Sequence, residues 1–321
     1  MAAILVTGSA GFIGSHTTER LLSRGNIVIG LDNFDPFYPR TIKERNLTTA
    51  LAHPNFRWVE ADLRDADKIY SLFKRHRPAY VLHLAAKAGV RPSIKDPSAY
   101  VETNVNGTLN LLRACQDFPV EHFVFASSSS VYGDSAQVPF SEAAFTDKPA
   151  SPYAATKKAG EALCFTYHHL LHMPVTCLRF FTVFGPRQRP DLAICKFVRL
   201  IDAGEPIPLF GDGTTSRDYT FVDDIVDGTL AALDNPAGYE IYNLGRSDPV
   251  SLREMVKTLE RALGKRATIT PMPEQPGDVR TTYADVSKAR RRLGYEPKVE
   301  FEAGIQRFVA WWRESESPLS R

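Results

Sequence analysis

The sequence predicts an α/β protein built on a doubly wound parallel sheet, together with a second, smaller α/β unit. Over residues 1–180, short apolar runs alternate with helical patterns, as in sheets whose parallel strands are joined by helices. A glycine-rich turn follows the first apolar run, and small or polar residues follow the later ones. Ligands of such sheets lie outside the carboxyl ends of the strands, so we expect one binding site there.

The composition narrows the classes of protein that this chain can represent. Its 321 residues are 43% apolar and 24% charged, which suits one large or two linked globular domains. The net charge of +2 favours neither a nucleic acid nor a membrane as partner, and no apolar run reaches membrane-spanning length. The cysteines form no Cys-x-x-Cys pair, so we expect buried thiols, no metal site and a cytoplasmic location. They are Cys115, Cys164, Cys177 and Cys195.

The N-terminal segment has the pattern of a dinucleotide-binding turn. A strand is predicted at residues 3–7 and a helix at residues 15–24, and three glycines lie between the strand and the helix. Such glycines allow a tight turn and a close approach of a pyrophosphate to the helix N-terminus. Their spacing is Gly-x-x-Gly-x-x-Gly rather than the commoner Gly-x-Gly-x-x-Gly, and a glycine turn without a ligand is the alternative. The glycines are Gly8, Gly11 and Gly14.

The second predicted strand ends in Asp32, and this carboxylate indicates which dinucleotide binds. It can accept hydrogen bonds from the adenosine ribose hydroxyls and would repel a 2′-phosphate, which favours NAD over NADP. Later strands also end in residues that could contact a cofactor. The predicted strands are residues 3–7, 27–31, 56–60, 79–84, 121–126, 175–180 and 239–244. The residues at strand ends are Thr7, Asp32, Asp62, Ala85, Ser127 and Phe180.

The regular alternation of strands and helices stops after residue 180. We therefore expect a cofactor-binding domain made of residues 1–180 plus 219–249, and a substrate domain made of residues 181–218 plus 250–314. A final amphipathic helix carries Trp311 and Trp312, which we expect in the core. Residues 97–117 are predicted to form one long helix, with Asn104 in its first half.

Tyr153 and Lys157 carry the strongest chemical signal in the chain. They begin a helix predicted at residues 153–171, and their i, i+4 spacing puts the phenol and the ammonium on one face. A neighbouring cation favours phenolate, so we expect the pKa of Tyr153 to fall towards neutrality. Such a tyrosine can take a proton from a sugar or alcohol hydroxyl. A surface pair without function is the alternative, but the serine run at residues 127–130 and the glycine turn count against it.

Taken together, these residues resemble the extended short-chain dehydrogenase/reductases over essentially the whole chain, and most closely the nucleotide-sugar 4-epimerases. The shared features are the glycine turn, Asp32, Asn104, the serine run before Val131-Tyr132-Gly133, and Tyr153-x-x-x-Lys157. The resemblance implies a Rossmann domain, a tightly held NAD and a UDP-sugar substrate. It also implies a homodimer formed by the helices of residues 97–117 and 153–171.

The resemblance also implies the reaction and the residues that perform it. Ser128 and Tyr153 act on the sugar, with Tyr153 as base and acid, while Lys157 binds the nicotinamide ribose and lowers the tyrosine pKa. Carbon 4 of the sugar is oxidised by NAD, the 4-keto sugar turns over, and the hydride returns to its other face. The implied cofactor-binding residues are Gly8, Gly11, Phe12, Ile13, Gly14, Asp32, Asn33, Asp62, Leu63, Leu84, Ala85, Ala86, Asn104, Ser127, Tyr153, Lys157 and Phe180.

The residues beside Ser128 separate the related activities. Related 4,6-dehydratases carry Asp-Glu where this chain has Ser129-Ser130, and related decarboxylases carry Glu at the position of Ser130. Without that carboxylic acid, water elimination lacks its acid/base pair. The sequence therefore argues against a dehydratase.

The substrate is indicated by hydroxyls and one arginine. UDP-galactose 4-epimerases have Arg-Tyr-Phe-Asn where this chain has residues 179–182, whereas the serine run, Thr182 and Arg189 resemble the UDP-glucuronate 4-epimerases. There, hydroxyls and an arginine surround the C5 carboxylate, which suits an anion. A neutral UDP-hexose or N-acetylhexosamine 4-epimerase, a diphosphate-binding or structural Arg189, and a non-catalytic NAD-binding module stay open. The implied substrate-binding residues are Ser128, Ser129, Ser130, Thr182, Arg189, Leu209, Arg217 and Asp278.

Overall fold

The computed structural model describes residues 2–134, 137–273 and 279–315, and its largest element is a seven-stranded parallel sheet with the order β10-β6-β5-β4-β1-β2-β3. The doubly wound α/β fold predicted from the sequence is confirmed. The strands are β1 Ala3–Thr7, β2 Ile27–Asp32, β3 Phe56–Glu60, β4 Tyr80–His83, β5 His122–Ser128, β6 Val175–Phe180, β7 Thr182–Phe184, β8 Ile207–Phe210, β9 Ser216–Phe221, β10 Tyr239–Leu244, β11 Pro249–Ser251 and β12 Ile269–Met272.

Helices cover both faces of the large sheet, and so its central strands are apolar on both sides. Every residue of β5 and β6 is buried. The α-helices are α1 Phe12–Ser23, α2 Arg40–Leu51, α3 Ala66–His76, α4 Val90–Lys95, α5 Pro97–Tyr100, α6 Gly107–Asp117, α7 Pro152–Leu171, α8 Ala193–Asp202, α9 Val222–Asp234, α10 Leu252–Leu263, α11 Ser287–Leu293 and α12 Phe301–Ser315.

The strand order creates a crevice beside β1. From β1 the chain moves outward through β2 to β3, and then crosses back to β4 on the other side of β1. The connections on the two sides of β1 therefore lead in opposite directions. A gap opens at the carboxyl ends of β1 and β4, where sheets of this type bind their ligands.

The long helix predicted at residues 97–117 is interrupted by a wider turn. A π-helical turn, Val101–Asn106, joins α5 to α6. Within it, Asn104 uses its side-chain amide to bond the backbone of Lys87, and its own carbonyl accepts from the Thr108 hydroxyl at 2.6 Å. These tertiary contacts favour the wider turn, which a hydrophobic pattern does not reveal.

Two smaller sheets lie beyond β6. They have the strand orders β11-β9-β7 and β12-β8. The domain boundary predicted between residues 218 and 219 falls inside β9, and we propose that residues 181–218 and 250–314 supply most of the substrate-binding unit. In α12, Trp312 is buried and Trp311 packs against the core, as predicted.

The four cysteines are buried and free. Among the described helices, none combines the length and the apolar character that a membrane crossing requires.

Candidate active site

A cavity of about 640 Å³ opens at the carboxyl ends of the large sheet, which is within the usual range for small-molecule sites. It brings together almost all of the side chains that the sequence predicted to bind cofactor or substrate. The predicted residues that line it are Gly8, Gly11, Phe12, Ile13, Gly14, Asp32, Asn33, Asp62, Leu63, Leu84, Ala85, Ala86, Ser127, Ser128, Ser129, Ser130, Tyr153, Lys157, Phe180, Thr182 and Arg189.

The glycine turn forms one end of the cavity. Gly8 has a φ of 71°, in the left-handed region, and donates its N–H to the Leu31 carbonyl at 2.7 Å. A Cβ on Gly14 would lie only 2.0 Å from the Gly8 carbonyl oxygen, so the turn can close onto α1 only with glycine there. Gly11 precedes α1 directly, and the first N–H groups of this helix lie at the cavity.

Asp32 is held as an acceptor at the end of β2. Its carboxylate accepts from the N–H of Phe34 at 2.8 Å and from the N–H of Ala10 at 3.3 Å. Burial raises the pKa of this carboxyl, while the charge of Lys43 and the two backbone hydrogen bonds lower it. The side chain is therefore fixed in orientation at the wall of the cavity.

Asp62 lies beside Asp32 across the end of β3. It accepts from the Asn33 amide at 2.8 Å and from the Arg64 guanidinium at 2.9 Å. Its hydrogen bonds with Arg64 lower the pKa of Asp62 to about 2, so this carboxylate is charged at neutral pH.

A buried histidine connects the parts of the cavity floor. His83, at the end of β4, bonds Thr7 Oγ1 through Nδ1 and Thr108 Oγ1 through Nε2, each at 2.8 Å. Since the Thr108 hydroxyl donates to the Asn104 carbonyl, His83 Nε2 must donate to Thr108, and Nδ1 must accept from Thr7. Thr7 in turn accepts from the N–H of Ala85 at 3.1 Å. The network joins β1, the loop after β4 and the π-helical turn.

Tyr153 and Lys157 enter the cavity from the start of α7. The Ser151 hydroxyl caps this helix by accepting from the N–H of Ala154 at 3.1 Å, and Pro152 occupies its first turn. Lys157 Nζ donates to the Ala126 carbonyl at 2.6 Å. Burial lowers the pKa of Lys157 to about 8. The hydrogen bond to the Ala126 carbonyl ties the Lys157 side chain to β5.

The sequence predicted that the pKa of Tyr153 falls towards neutrality, and this prediction is wrong when only the groups of the protein act on the phenol. Burial raises the pKa of the Tyr153 phenol above its usual value, against the lowering effects of the Ser128 hydroxyl and the Arg189 charge. Lys157 is not among the groups that lower the pKa of Tyr153, and its ammonium bonds the Ala126 carbonyl on β5. Helical spacing fixes a shared face but leaves the direction of a long side chain to the tertiary structure.

The serine run turns away from the sheet directly after β5. The N–H of Ser130 donates to Ser128 Oγ at 3.1 Å, and a 3₁₀ turn, Ser129–Tyr132, follows. This turn leaves three hydroxyls at the cavity wall, near the phenol of Tyr153.

Arg189 reaches the same cavity from the loop between β7 and α8. Its guanidinium forms two bonds with Asp191, Nε to Oδ1 at 3.0 Å and Nη2 to Oδ2 at 2.9 Å, and lies over the Phe37 ring. The loop is fastened to α1, since His16 Nε2 donates to the Pro186 carbonyl at 2.9 Å.

Three of the predicted residues that the structure describes do not line the main cavity. Asn104 lies behind its wall, where the side chain bonds Lys87 and Thr156. Leu209 lies on β8, and Arg217 lines an adjoining cavity of about 140 Å³ that shares Ser129, Ser130 and Thr182 with the main one. Asp278 falls outside the described residues.

Sequence reasoning missed several residues of the cavity wall. They belong mainly to the segment that follows β2 and to the helices after β4. Lys43 donates to the Asp35 carbonyl at 2.8 Å, and Lys87 pairs with the Asp35 carboxylate at 3.0 Å. The charged and aromatic residues just after Asp32 were a usable signal, because this segment starts at a strand end. The missed residues include Asp35, Phe37, Tyr38, Lys43, Lys87 and Tyr100.

The parallel sheet, the glycine turn and the tyrosine–lysine helix define an extended short-chain dehydrogenase/reductase. The chain belongs to the GDP-mannose 4,6 dehydratase family, whose model matches residues 5–308. It is 43% identical to a UDP-glucuronate 4-epimerase of Thermodesulfobacterium geofontis, over 98% of this chain and 97% of that protein. It is 44% identical to UDP-glucuronate 4-epimerase 4 of Arabidopsis thaliana, over 96% and 75% of the two chains.

Solved structures agree with these relatives. A UDP-glucuronic acid 4-epimerase from Bacillus cereus, in complex with UDP-glucuronic acid and NAD, aligns with a TM-score of 0.92 and 38% identity, over 97% of this chain and 99% of that one. A UDP-glucose 4-epimerase from Thermotoga maritima, with UDP-glucose, aligns with a TM-score of 0.91 and 33% identity, over 98% of this chain and 100% of that one.

The buried histidine of the cavity floor should make the stability of the fold depend on pH. Burial lowers the pKa of His83 from 6.5 to about 3, so between these pH values the unfolded chain binds a proton that the folded chain does not. This residue therefore destabilises the fold increasingly as the pH falls below 6.5. Denaturant unfolding at pH 7 and pH 5 should show a loss about 2 kcal/mol larger for the unmodified protein than for His83→Gln.

The exposed His172 supplies the control for that comparison. His172→Asn removes one exposed histidine and keeps a residue that tolerates the left-handed backbone there. Equal pH dependence of the unmodified protein and His83→Gln would contradict the assignment.

Proposed function

We propose that this protein is an NAD-dependent 4-epimerase that interconverts UDP-glucuronate and UDP-galacturonate. The observation that carries the proposal is the meeting of Tyr153, Ser128 and Arg189 in one cavity whose other end is a dinucleotide-binding turn. The UDP-glucuronate 4-epimerases among the relatives and solved structures support it.

The residues present fit NAD along the length of the cavity. The glycine turn and the start of α1 would hold the pyrophosphate, and Asp32 would accept from the adenosine ribose hydroxyls. Lys157, whose three donors are only partly used by the Ala126 carbonyl, would hold the nicotinamide ribose. When bound, NAD supplies the hydride acceptor and donor for carbon 4.

The protein's own task is to move one proton at the sugar hydroxyl. Tyr153 as phenolate would accept the proton from the carbon 4 hydroxyl and return it when the sugar is reduced again. The Ser128 hydroxyl and the charge of Arg189 both favour this phenolate, in opposition to the effect of burial. Ser128 would also hold the oxygen that becomes the ketone. The hydride and the proton both return to the sugar in each turnover, so the sugar keeps its oxidation state and no second redox substrate is required.

The cavity wall beside Tyr153 favours a sugar acid. Arg189, Thr182 and the serines of the run present one cation and several hydroxyls, a combination that binds a carboxylate. Ser129 and Ser130 place no carboxylic acid there, so the acid/base pair expected of a dehydratase is missing from this part of the described structure.

One observation favours the second candidate, a 4-epimerase of neutral UDP-hexoses or N-acetylhexosamines. The guanidinium of Arg189 already has an anionic partner in Asp191, so the site without substrate is close to neutral there. An arginine has five N–H donors, however, and Asp191 takes only two of them. A non-catalytic NAD-binding module is disfavoured, since Ser128, Tyr153 and Lys157 are all present and converge.

We further propose a homodimer in a reducing, cytoplasmic environment. Large apolar side chains are exposed on the two helices that the resemblance assigns to the interface. On α7, for example, Phe165 is 52% exposed and Leu170 is 66% exposed. Large exposed apolar side chains are common at protein–protein contact sites. The four free, buried thiols support the choice of compartment.

Tyr153→Phe should reduce turnover of UDP-glucuronate by about 10²- to 10⁴-fold or more, because it removes the only group assigned to the proton transfer. Binding of NAD and of UDP-glucuronate should stay close to that of the unmodified protein. Tyr100→Phe is the matched control, since its ring packs edge-on against Tyr153 and its hydroxyl bonds the Ala88 carbonyl. It should cost less than about tenfold. Tyr153→Phe activity within tenfold of the unmodified enzyme would exclude the assignment.

Arg189→Gln should lower kcat/KM for UDP-glucuronate by roughly ten- to a hundredfold and change that for UDP-glucose little, since a charge-assisted contact is lost. Some decarboxylated product is also expected, because a 4-keto uronic acid is a β-keto acid and its carboxylate is no longer held. Resolving the C4 epimers formed from each substrate measures both effects.

Arg187→Gln is the control for the arginine, since Arg187 lies in the same loop and pairs with Glu19 at 3.0 Å. It should leave the ratio between the two substrates unchanged. Equal losses on both substrates for Arg189→Gln would assign Arg189 to the diphosphate. Preference of the unmodified enzyme for UDP-glucose would leave the neutral-sugar candidate standing.

Sedimentation at micromolar concentration should show a dimer, and Phe165→Glu should shift it towards the monomer because a charge would be buried at the contact. Phe145→Glu is the control, since Phe145 is 92% exposed and lies in a separate loop. A monomeric unmodified protein would remove the homodimer from the proposal.

A further inference from the structure

A fully buried ion pair lies directly behind the catalytic residues. Arg179, on β6, donates from Nε to Glu161 Oε1 and from Nη2 to Glu161 Oε2, each at 2.8 Å. Both side chains are only 2% exposed. Removing two charges from water costs more than many such pairs regain, so stability alone is a weak reason for this arrangement. Neither residue lines the main cavity, and any effect on the reaction must pass through other groups.

Glu161 connects α7 to the end of β5. Its Oε1 accepts from the Ser127 hydroxyl at 2.6 Å, one residue before Ser128. On the same helix, Lys157 donates to the carbonyl of Ala126, the preceding residue of β5. The two turns of α7 that follow Tyr153 are thus fastened to two successive residues of the strand that presents Ser128.

Arg179 connects the same pair of elements from the other side. Its guanidinium lies 4.8 Å from the ring centre of Tyr132, the last residue of the 3₁₀ turn that follows Ser128. The Tyr132 hydroxyl donates to Asn243 Oδ1 at 2.7 Å, which holds this ring against β10. Strand pairing places Arg179 opposite Ser127, so the ion pair lies one row of the sheet below Ser128.

The packing between α7 and β5 leaves little room for a different register. A Cβ on Gly160 would lie 2.3 Å from Cζ of Phe125, so this helix approaches the strand as closely as glycine allows. Tyr153, Lys157 and Glu161 recur every four residues and share one helix face. Fixing Glu161 therefore fixes where the phenol of Tyr153 lies along the end of β5.

We propose that Glu161 and Arg179 are positioning residues of the epimerase reaction, which lock the helix of Tyr153 against the strand and turn of Ser128. This inference rests on the proposed function, because it assumes that the phenol and the Ser128 hydroxyl act together on one sugar hydroxyl. A displacement of about 1 Å between such groups can cost on the order of a hundredfold in rate. Substrate and cofactor binding depend on other residues and should be spared.

The test is a double variant, Glu161→Leu with Arg179→Leu, which removes both charges of the pair together, so that neither of the two is left buried without the other. It should retain NAD on purification and keep the KM for UDP-glucuronate within twofold, while kcat falls at least tenfold. Ser127→Ala tests the same connection without changing any charge. Ser127 lines the cavity, but its hydroxyl donates to Glu161, so this variant should lower kcat several-fold while it retains NAD on purification and keeps the KM unchanged. If the double variant does not fold, the Ser127→Ala result decides.

Asp224→Asn is the matched control for a buried carboxylate. Asp224 lies on α9 and accepts from the N–H groups of Lys298 and Val299 at 2.8 and 3.1 Å, away from α7. This variant should lose thermal stability and keep kcat. A folded double variant with the kcat of the unmodified enzyme, or Ser127→Ala with unchanged kcat, would overturn the positioning role.

The two levels of the proposal fail in different ways. An inactive Tyr153→Phe together with a fully active double variant would remove only the positioning role. An active Tyr153→Phe would remove the assigned chemistry and the positioning role with it. A loss of kcat in Asp224→Asn equal to that of the double variant would show a general effect of stability and would also overturn the inference.

Discussion

Parallel strand pairing is the constraint on which this molecule depends. Because all seven strands of the large sheet run in one direction, their carboxyl ends meet at a single edge, and residues distant in sequence become neighbours there. Gly8, Asp32, Ala85 and Ser128 follow or end four different strands, yet they line one cavity. The crossing from β3 back to β4 opens the sheet at that edge, so the cofactor and the sugar would share a continuous crevice.

Burial is the largest influence on the pKa values of Lys157, Asp32 and Tyr153 in this crevice, and neighbouring charges and hydrogen bonds act in addition to it. The pKa of Lys157 falls to about 8 and that of Asp32 rises, both because their charged forms are poorly solvated. The pKa of Tyr153 rises for the same reason, so a phenolate needs compensating donors and cations. The Ser128 hydroxyl and the Arg189 charge both lower the pKa of Tyr153, and Arg189 is also the residue proposed to bind the sugar carboxylate.

The groups proposed to act in catalysis are held by hydrogen bonds among buried side chains, most of which lie outside the main cavity. His83 joins the first and fourth strands to the π-helical turn, and Glu161 with Arg179 joins the catalytic helix to its strand. Each uses buried polar groups with directional bonds in place of apolar packing. Directional bonds define one register, whereas apolar contacts of similar area tolerate slippage.

The sequence by itself determined the fold class, most strand positions and the family, because alternating apolar runs, glycine spacing and Tyr153-x-x-x-Lys157 are local features. It also indicated that Ser128, Asp32 and Arg189 belong to one site, through strand ends and resemblance. Only the tertiary structure decided that Lys157 bonds the Ala126 carbonyl, that Asn104 lies behind the cavity wall, and that Arg217 lines the adjoining cavity. The same holds for the segment after Asp32 and for the partner of Arg179. The physical reason is that the direction of a long side chain and the partner of a buried charge are set by contacts between residues far apart in sequence. Periodicity and spacing describe only neighbours along the chain.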